Sequence, residues 1–382
     1  AKFACAELAK LVWAEHPEIV TDPAIEDFLK SNDFYNNAAR YSEYGAAGGG
    51  FAMKLYSPDG KKLVIDYVPA MCFIPVSWDN KRITEADFID RKAKDGKTYI
   101  RVERHRKTET GYRITYDVFE EYGTTLNKRD ISVLGIEQQS IDITTPVPLF
   151  AYIAKPEANN HSFFSPLGSS IYANALGTLE SLDIAFDALS QEIVLGKKRI
   201  IVPAAAVRYV TSDNGTRVRY FDPSDEVFQS FDFQNAENFK IQDNTVEMRI
   251  DELRLAIQTL LDILANQVGF SAGTFSFDGV SMKTATEVIS EQSKTFKTKQ
   301  AYENNIGRGI LELLEAVRAI GPAYGIATTG TEYTITWNDS VIEDRNSKTD
   351  YWLKRYAART CLLEDVLMYL DGLPEDKAKA KA

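Results

Sequence analysis

Two long stretches with helical periodicity, separated by an insertion of different character, constrain this chain more than any other feature. The first covers residues 169–195, with Ser169 or Ser170 as its cap and Gly196 as its stop. At about 1.5 Å per residue such a helix would be roughly 40 Å long. Gly177 within it predicts a kink or a close approach of another helix. Its apolar stripe consists of Ile171, Ala175, Leu179, Leu182, Phe186, Leu189 and Ile193.

The second stretch begins at Asn244, three residues before Glu247, which is the spacing of a capping box. It keeps an apolar face until Gly269, the predicted stop. The insertion at residues 197–244 has short strand-like pieces and is too small for a core of its own. The sequence therefore predicts an antiparallel helix pair with a small head at one end.

A glycine-, serine- and phenylalanine-rich segment at residues 269–282 follows the second helix and is typical of a mobile connection. Thr284 and Glu287 have the spacing of another capping box and predict a helix start. An ordinary surface loop before an amphipathic helix fits this segment equally well.

The rest of the chain alternates between helix and sheet. Helices are predicted over residues 1 to about 40, where Asp22 caps Pro23, and an antiparallel or mixed sheet between Gly48 and Ile153. After the loop we expect one helix to about Gln300 and another that ends at Gly321. A strand at Glu332–Trp337, a helical region at Arg345–Leu370 and a frayed tail complete an α+β chain.

Charge and composition exclude several functions. The net charge of −11 argues against a protein that grips nucleic acid by neutralising phosphates. The three cysteines and three histidines are scattered, so we expect a reducing compartment, no metal and no cofactor. No apolar run reaches the roughly 18 residues of a membrane helix. Gly96-Lys97-Thr98 is no phosphate loop, because Arg91 stands where that motif needs glycine.

Several motifs, taken in order, resemble the portal proteins of tailed bacteriophages, in particular the SPP1-like portal group. The motifs are PLF at 148–150 with SPLGSSI at 165–171, EIVLGKKRII at 192–201, GFSAGTFSF at 269–277, KTATEVISE at 283–291 and WNDSVIED at 337–344. The resemblance covers nearly the whole chain.

The resemblance implies a portal-type architecture. Residues 1–165 would form a β-rich and helical wing, joined by the helices and strand of 284–340. Residues 166–196 and 245–268 would be the two antiparallel stem helices, and 197–244 a small α/β clip between them. Residues 269–283 would be the tunnel loop, and 341–382 a partial helical crown.

The resemblance also implies an assembly and its partners. About twelve subunits would close into a ring at one vertex of the capsid, assembled in the cytoplasm of the host bacterium. The terminase large subunit would drive double-stranded DNA through this ring, and a head-to-tail adaptor, the capsid and scaffold proteins would be its other partners. No membrane is implied. Twelve copies would carry a charge of about −130, which repels phosphates and lets the duplex pass.

Three sets of residues are candidates for these contacts. In the tunnel loop they are Phe270, Thr274, Phe275, Phe277 and Lys283, with packing between subunits as an alternative for the phenylalanines. In the clip, facing the terminase and the adaptor, they are Lys197, Lys198, Arg199, Arg208, Arg217 and Arg219, with ordinary surface charge as the alternative. The acidic face of the first stem helix consists of Glu180, Asp183, Asp187 and Glu192.

Two other functions compete with a portal. A different ring-forming virion component, such as a head-completion or baseplate ring, would share ring assembly but not terminase binding. A hydrolase that uses paired carboxylates would fit the many acidic residues, although no constellation of residues supports one. We therefore expect a structural protein without catalytic residues.

Overall fold

The structure is a computed structural model of the 382-residue chain. It describes residues 1–58, 60–196, 247–276, 293–328, 332–337, 345–371, 379 and 381, and the backbone of short strands between 200 and 243. The chain divides into two units. Unit 1 contains residues 1–174, 268–271 and 280–382, and unit 2 contains residues 175–267 and 272–279.

Three helices open unit 1, where the sequence predicts helical structure, and the third extends beyond the predicted end near residue 40. They are α1 (Lys2–Trp13), α2 (Pro23–Ser31) and α3 (Phe34–Gly48). Asp22 is the N-cap residue of α2, whose Ile25, Phe28 and Leu29 are buried. Gly49, with φ of +91°, ends α3 and lets the chain turn directly into the first strand of the sheet region.

The sheet region of unit 1 is antiparallel. One sheet has the order β10-β2-β3, formed by Phe150–Ala154, Gly50–Tyr56 and Val64–Pro69. A six-stranded sheet contains β4 (Phe73–Asp79), β5 (Arg82–Lys94), β6 (Lys97–Lys107), β7 (Tyr112–Tyr122), β8 (Thr125–Arg129) and β9 (Ser140–Ile143). Gly96 lies in the turn between β5 and β6 with φ of +73°, so Gly96-Lys97-Thr98 belongs to a hairpin and does not connect a strand to a helix.

A long helix, α6 (Ser293–Ile320), forms the centre of unit 1. Ile310, Leu313, Leu314 and Val317 are fully buried. A side chain at Gly309 would collide with Ile153 of β10, so this glycine lets helix and strand pack closely. The predicted end at Gly321 is confirmed. The predicted break near Gln300 is wrong, because α6 runs through it without interruption.

The remaining elements of unit 1 are short. Strand β16 (Thr334–Thr336) pairs with β1 (Glu18–Val20). The predicted helical region near the C-terminus consists of α7 (Arg345–Ala357) and α8 (Leu363–Asp371). The predicted region Arg345–Leu370 is therefore helical and contains two separate helices.

Unit 2 contains α4 (Leu176–Leu195) and α5 (Ile250–Gln267). Between them lie β11 (Ile200–Pro203), β12 (Tyr209–Thr211), β13 (Arg217–Arg219), β14 (Phe228–Phe231) and β15 (Gln242–Asp243). Strand β11 pairs with β14 in parallel and with β15 in antiparallel orientation, whereas β12 and β13 form a hairpin.

Both helices of unit 2 begin later than the sequence predicts. Helix α4 starts at Leu176 instead of after Ser169 or Ser170, so its 20 residues span about 30 Å. Helix α5 starts at Ile250, and the predicted capping residue Asn244 lies outside the described residues. The stops at Gly196 and Gly269 are confirmed.

The glycine at position 168 allows two segments of backbone to touch in unit 1. A Cβ atom at Gly168 would overlap the carbonyl oxygen of Gly49 and lie 2.8 Å from the amide nitrogen of Lys155. That amide donates a hydrogen bond to the same Gly49 oxygen, at 3.1 Å. The glycine of the SPLGSSI motif therefore has a steric role.

Replacing Gly168 by alanine is expected to lower the free energy of unfolding by about 1–3 kcal/mol, since backbone atoms would have to move apart. Gly177→Ala is the matched control. The space around Gly177 is open, which makes the predicted close approach there wrong, and alanine in a helix is favourable by about 0.5–1 kcal/mol. Thermal unfolding of both variants should give shifts of opposite sign, and equal shifts would contradict this role of Gly168.

Candidate functional site

The two helices of unit 2 share a small buried face. Leu182 of α4 and Ile257, Leu264 and Ala265 of α5 are buried. Of the predicted stripe on α4, Leu179 and Leu189 are only half-buried, and Phe186 and Ile193 are exposed. The helix pair therefore buries little apolar surface within one chain.

Large apolar side chains also lie on the outer faces of the pair. Ile184 of α4 is 65% exposed, Leu255 of α5 is 69% exposed and Ile263 is 43% exposed. Residues 255 and 263 lie two turns apart on the side of α5 opposite Ile257. Soluble monomers rarely leave groups of large apolar side chains uncovered in this way, so these faces fit contact with another chain.

An acidic stripe shares the outer side of α4. Glu180, Asp183 and Asp187 follow the i, i+3, i+7 spacing that places them on one face, and all three are exposed. Their carboxylates give this face of the helix a local negative potential.

Glu192, the fourth acidic residue of the predicted face, has a different position. Its Oε1 accepts a hydrogen bond from the backbone N–H of Arg249, and its Oε2 lies 3.0 Å from the Arg249 guanidinium. Hydrogen bonds from the side chain and the backbone of Arg249 hold the pKa of Glu192 below its usual range. Glu192 thus links the end of α4 to the segment before α5, and its charge is paired.

The segment after α5 begins with a turn held by Asp262. The Asp262 Oδ1 accepts hydrogen bonds from the Gly273 N–H, at 2.9 Å, and from the side-chain amide of Gln258, at 3.2 Å. Thr274 is exposed in this turn, whereas Phe275 is only 8% exposed. The sequence pattern gave no indication of Asp262, because its partner is a backbone amide in an irregular segment.

The candidate phenylalanines do not share one environment. Phe270 belongs to unit 1 and is 1% exposed, so its ring is part of a packed interior. Phe275 belongs to unit 2 and is also buried. We therefore consider Thr274 for contact with DNA, but not the buried Phe270 and Phe275.

The structure does not describe the side chains of the other predicted residues. Phe277, Lys283, Lys197, Lys198, Arg199 and Arg208 lie outside the described residues. Arg217 and Arg219 belong to strand β13, of which only the backbone is described.

Within the described part of the chain, no group of three or more His, Cys, Asp or Glu side chains could hold a metal ion. None of its helices combines the length and the apolar character that crossing a membrane requires.

The chain matches a known protein family. The sequence model of a family described as "Phage portal protein, SPP1 Gp6-like" matches residues 14–363, which is most of the chain. No curated protein matches the chain.

Proposed function

The chain belongs to the SPP1 Gp6-like phage portal family, and from this premise we propose how its segments form the ring through which phage DNA is packaged. The family is a structural one, and its members are components of the virion that act together with the capsid and the terminase.

The main support for this ring is the set of exposed apolar side chains on the helix pair. In a ring, one face of each helix pair contacts the previous subunit and another face contacts the next subunit, which is a heterologous interface. Ile184 on α4 and Leu255 and Ile263 on α5 would become buried between neighbours. The helix pair is thus the stem, and about twelve copies close the ring.

The acidic stripe of α4 would line the channel. Glu180, Asp183 and Asp187 would present carboxylates to the DNA phosphates and keep the duplex from adhering to the wall. At the narrowest point, Thr274, Phe277 and Lys283 would approach the DNA, the lysine through phosphates and the other two by steric contact.

Residues 197–244 would be the clip, which faces the terminase large subunit during packaging and the head-to-tail adaptor afterwards. Its basic residues would supply charge for these contacts, namely Lys197, Lys198, Arg199, Arg208, Arg217 and Arg219. Residues 341–382 would belong to the crown, and assembly would take place in the host cytoplasm together with capsid and scaffold proteins.

Electron microscopy of the purified chain at high concentration tests the ring directly. Top views with a central hole about as wide as a DNA duplex are expected, and their symmetry gives the number of subunits. Compact single particles at every concentration would contradict the proposed contacts between helix pairs.

Reversing two charges of the stripe is expected to make the ring retain DNA. Rings with Asp183→Lys and Asp187→Lys should bind duplex DNA more tightly at low salt. Their affinity should also fall more steeply with salt, by a slope of about 0.9 for each phosphate newly contacted. Fluorescence anisotropy of labelled DNA over a salt series measures both quantities.

Glu109→Lys is the matched control for this charge reversal, since Glu109 is exposed in the turn between β6 and β7 of unit 1. It changes the net charge without touching α4. If Glu109→Lys raised the DNA affinity, per reversed charge, as much as the α4 variant does, the acidic stripe would have no special position in the channel.

A further inference from the structure

Two segments of unit 1 meet where the chain leaves α5 and where it enters α6. Residues 269–271 follow α5, and Thr295 and Thr298 lie in the first two turns of α6. The chain between these two points, residues 272–294, contains most of the proposed tunnel loop. The two ends of this segment are therefore neighbours in space.

Ser271 and Thr295 exchange hydrogen bonds in both directions. The Thr295 Oγ1 accepts from the Ser271 N–H at 2.9 Å, and the Ser271 Oγ accepts from the Thr295 N–H at 3.3 Å. The two hydroxyl oxygens lie 3.2 Å apart. This is the reciprocal pattern of a capping box, built here between residues 24 positions apart.

The exchange also satisfies the end of a helix. The first four N–H groups of an α-helix have no partner within it, and the N–H of Thr295 is one of these. Ser271 supplies the acceptor that a capping side chain normally provides from the same helix. The start of α6 is thus completed by the segment that follows α5.

A second contact reinforces the pair one turn further along α6. The Thr298 hydroxyl donates to the carbonyl oxygen of Gly269 at 2.6 Å. Gly269 has φ of +93°, and a side chain there would meet the Thr298 hydroxyl at 2.9 Å. Glycine is therefore required at this position for both its backbone conformation and its space.

This contact region is buried. Ser271 and Thr295 are each 5% exposed, and their neighbours Phe270 and Phe296 are 1% and 9% exposed. A buried polar group that loses its partner is costly, so the hydroxyl pair cannot be replaced by water without disturbing the packing around it. We call Gly269, Ser271, Thr295 and Thr298 the clasp.

We propose that Ser271 and Thr295 are positioning residues, which hold the two ends of the 272–294 segment together so that α6 stays fixed while that segment meets moving DNA. This inference rests on the proposed function, since it assumes that the segment lies in the channel. The clasp contacts no DNA itself. It acts by keeping the anchor points of the loop at a constant separation.

The experiment compares Thr295→Val, which is nearly isosteric but lacks the hydroxyl, with Thr295→Ser, which keeps it. Assembled rings are exposed to deuterated water, and exchange is followed in the peptide that contains the Ser271 amide. Exchange of that amide should become about three- to tenfold faster in Thr295→Val and return towards the wild-type rate in Thr295→Ser. Ser271→Ala should increase exchange of the Thr295 amide in the same way.

The second readout is the fraction of DNA that becomes resistant to nuclease in capsids assembled with each ring. Thr295→Val and Ser271→Ala should form rings but protect several-fold less DNA, and Thr295→Ser should restore protection. Thr84→Val is the matched control, because Thr84 donates one hydrogen bond, to the Ser77 carbonyl oxygen, elsewhere in unit 1. It should leave both readouts unchanged.

The outcomes separate the clasp from the portal function. Unchanged exchange in Thr295→Val would overturn the clasp itself. Faster exchange with full DNA protection would overturn its role in positioning the loop, while the channel function would stand. If wild-type rings failed to support DNA protection, the proposed function would fail, and the exchange data would still report on the hydroxyl pair.

Discussion

Rings should fail to assemble when Leu255 is replaced by aspartate, and the subunit should remain a folded monomer. Leu255 is 69% exposed in the single chain, so an aspartate there costs the monomer little. Burying the leucine between subunits would contribute about 1.5–3 kcal/mol, and burying an unpaired carboxylate in its place costs several more. A loss on the order of 5 kcal/mol weakens each subunit contact by a factor of more than about 10³.

Size-exclusion chromatography with light scattering measures the loss of the ring, and far-ultraviolet circular dichroism tests whether the monomer keeps its helices. Leu255→Met is the control, because it keeps an apolar side chain of similar volume and should assemble normally. Rings of Leu255→Asp that persist at micromolar concentration would show that this face of α5 is not between subunits. The same experiment on Ile184 would then locate the interface on α4.

The periodic parts of the fold were predictable from the sequence because their signals are local. The presence of α4 and α5 and the stops at Gly196 and Gly269 follow from side chains three or four residues apart and from the backbone freedom of glycine. The start of α2 at Asp22 followed in the same way. These features depend on neighbours in the chain and not on the tertiary fold.

The late start of α4 has a tertiary cause. Ile171 fits the apolar stripe of the helix, but its backbone N–H donates to the Ala46 carbonyl oxygen at 3.0 Å, and its side chain is 3% exposed within unit 1. Because its N–H is bound to Ala46, Ile171 belongs to unit 1, and α4 begins only after it. Periodicity cannot distinguish a residue buried by its own helix from one buried by a different unit.

The missing break in α6 has a similar cause. Lys299 and Glu303, on either side of the predicted break at Gln300, lie 3.1 Å apart and are buried on one face of a continuous helix. The hydroxyls of the clasp were missed for the same reason. A polar residue reveals whether it is paired inside the protein only when the structure brings its partner close.

Lys54 is a buried residue at a position where the inside–outside alternation of side chains along a strand would predict an exposed one. Phe51, Met53 and Leu55 alternate along β2 and are buried, and simple alternation would leave Lys54 facing solvent. Both faces of β2 are covered instead, and Lys54 is 2% exposed. Its ammonium lies 2.6 Å from a carboxylate oxygen of Glu103 on β6, so this ion pair joins the three-stranded sheet to the six-stranded sheet of unit 1.

The Glu103 carboxylate is shared with a third buried group. His105 is fully buried, and its Nε2 lies 2.8 Å from the other oxygen of Glu103. Burial alone would raise the pKa of Glu103, but the Lys54 ammonium and the hydrogen bond from His105 outweigh burial and hold the pKa well below its usual range. Glu103 is therefore charged at neutral pH and depends on both partners.

Lys54→Met is expected to lower the free energy of unfolding of unit 1 by about 3–5 kcal/mol, because it leaves a buried carboxylate without its counter-ion. Urea unfolding followed by tryptophan fluorescence measures this loss. All four tryptophans, at positions 13, 78, 337 and 352, belong to unit 1, so the signal reports that unit. The measurement is made in the monomeric Leu255→Asp background, where ring assembly adds no stability.

Two controls isolate the buried charge. Lys10→Met removes an exposed ion pair with Glu7 and should leave the free energy of unfolding nearly unchanged. Adding Glu103→Gln to Lys54→Met removes the stranded charge and should recover most of the lost stability. A double variant as unstable as Lys54→Met would mean that the loss comes from packing and not from charge.

The same cluster predicts how unit 1 responds to acid. The pKa of Glu103 is lower in the folded protein than in the unfolded chain, so its stabilising contribution is present above the unfolded pKa, near about 4.3. The contribution is lost as the pH falls below that value towards the folded pKa. The free energy of unfolding of the wild-type protein should therefore decrease when the pH drops below about 4. Glu103→Gln has no carboxylate to protonate at position 103, so its free energy of unfolding should decrease less over the same pH range. Parallel curves for the two proteins would mean that other carboxyl groups control the acid unfolding of this unit.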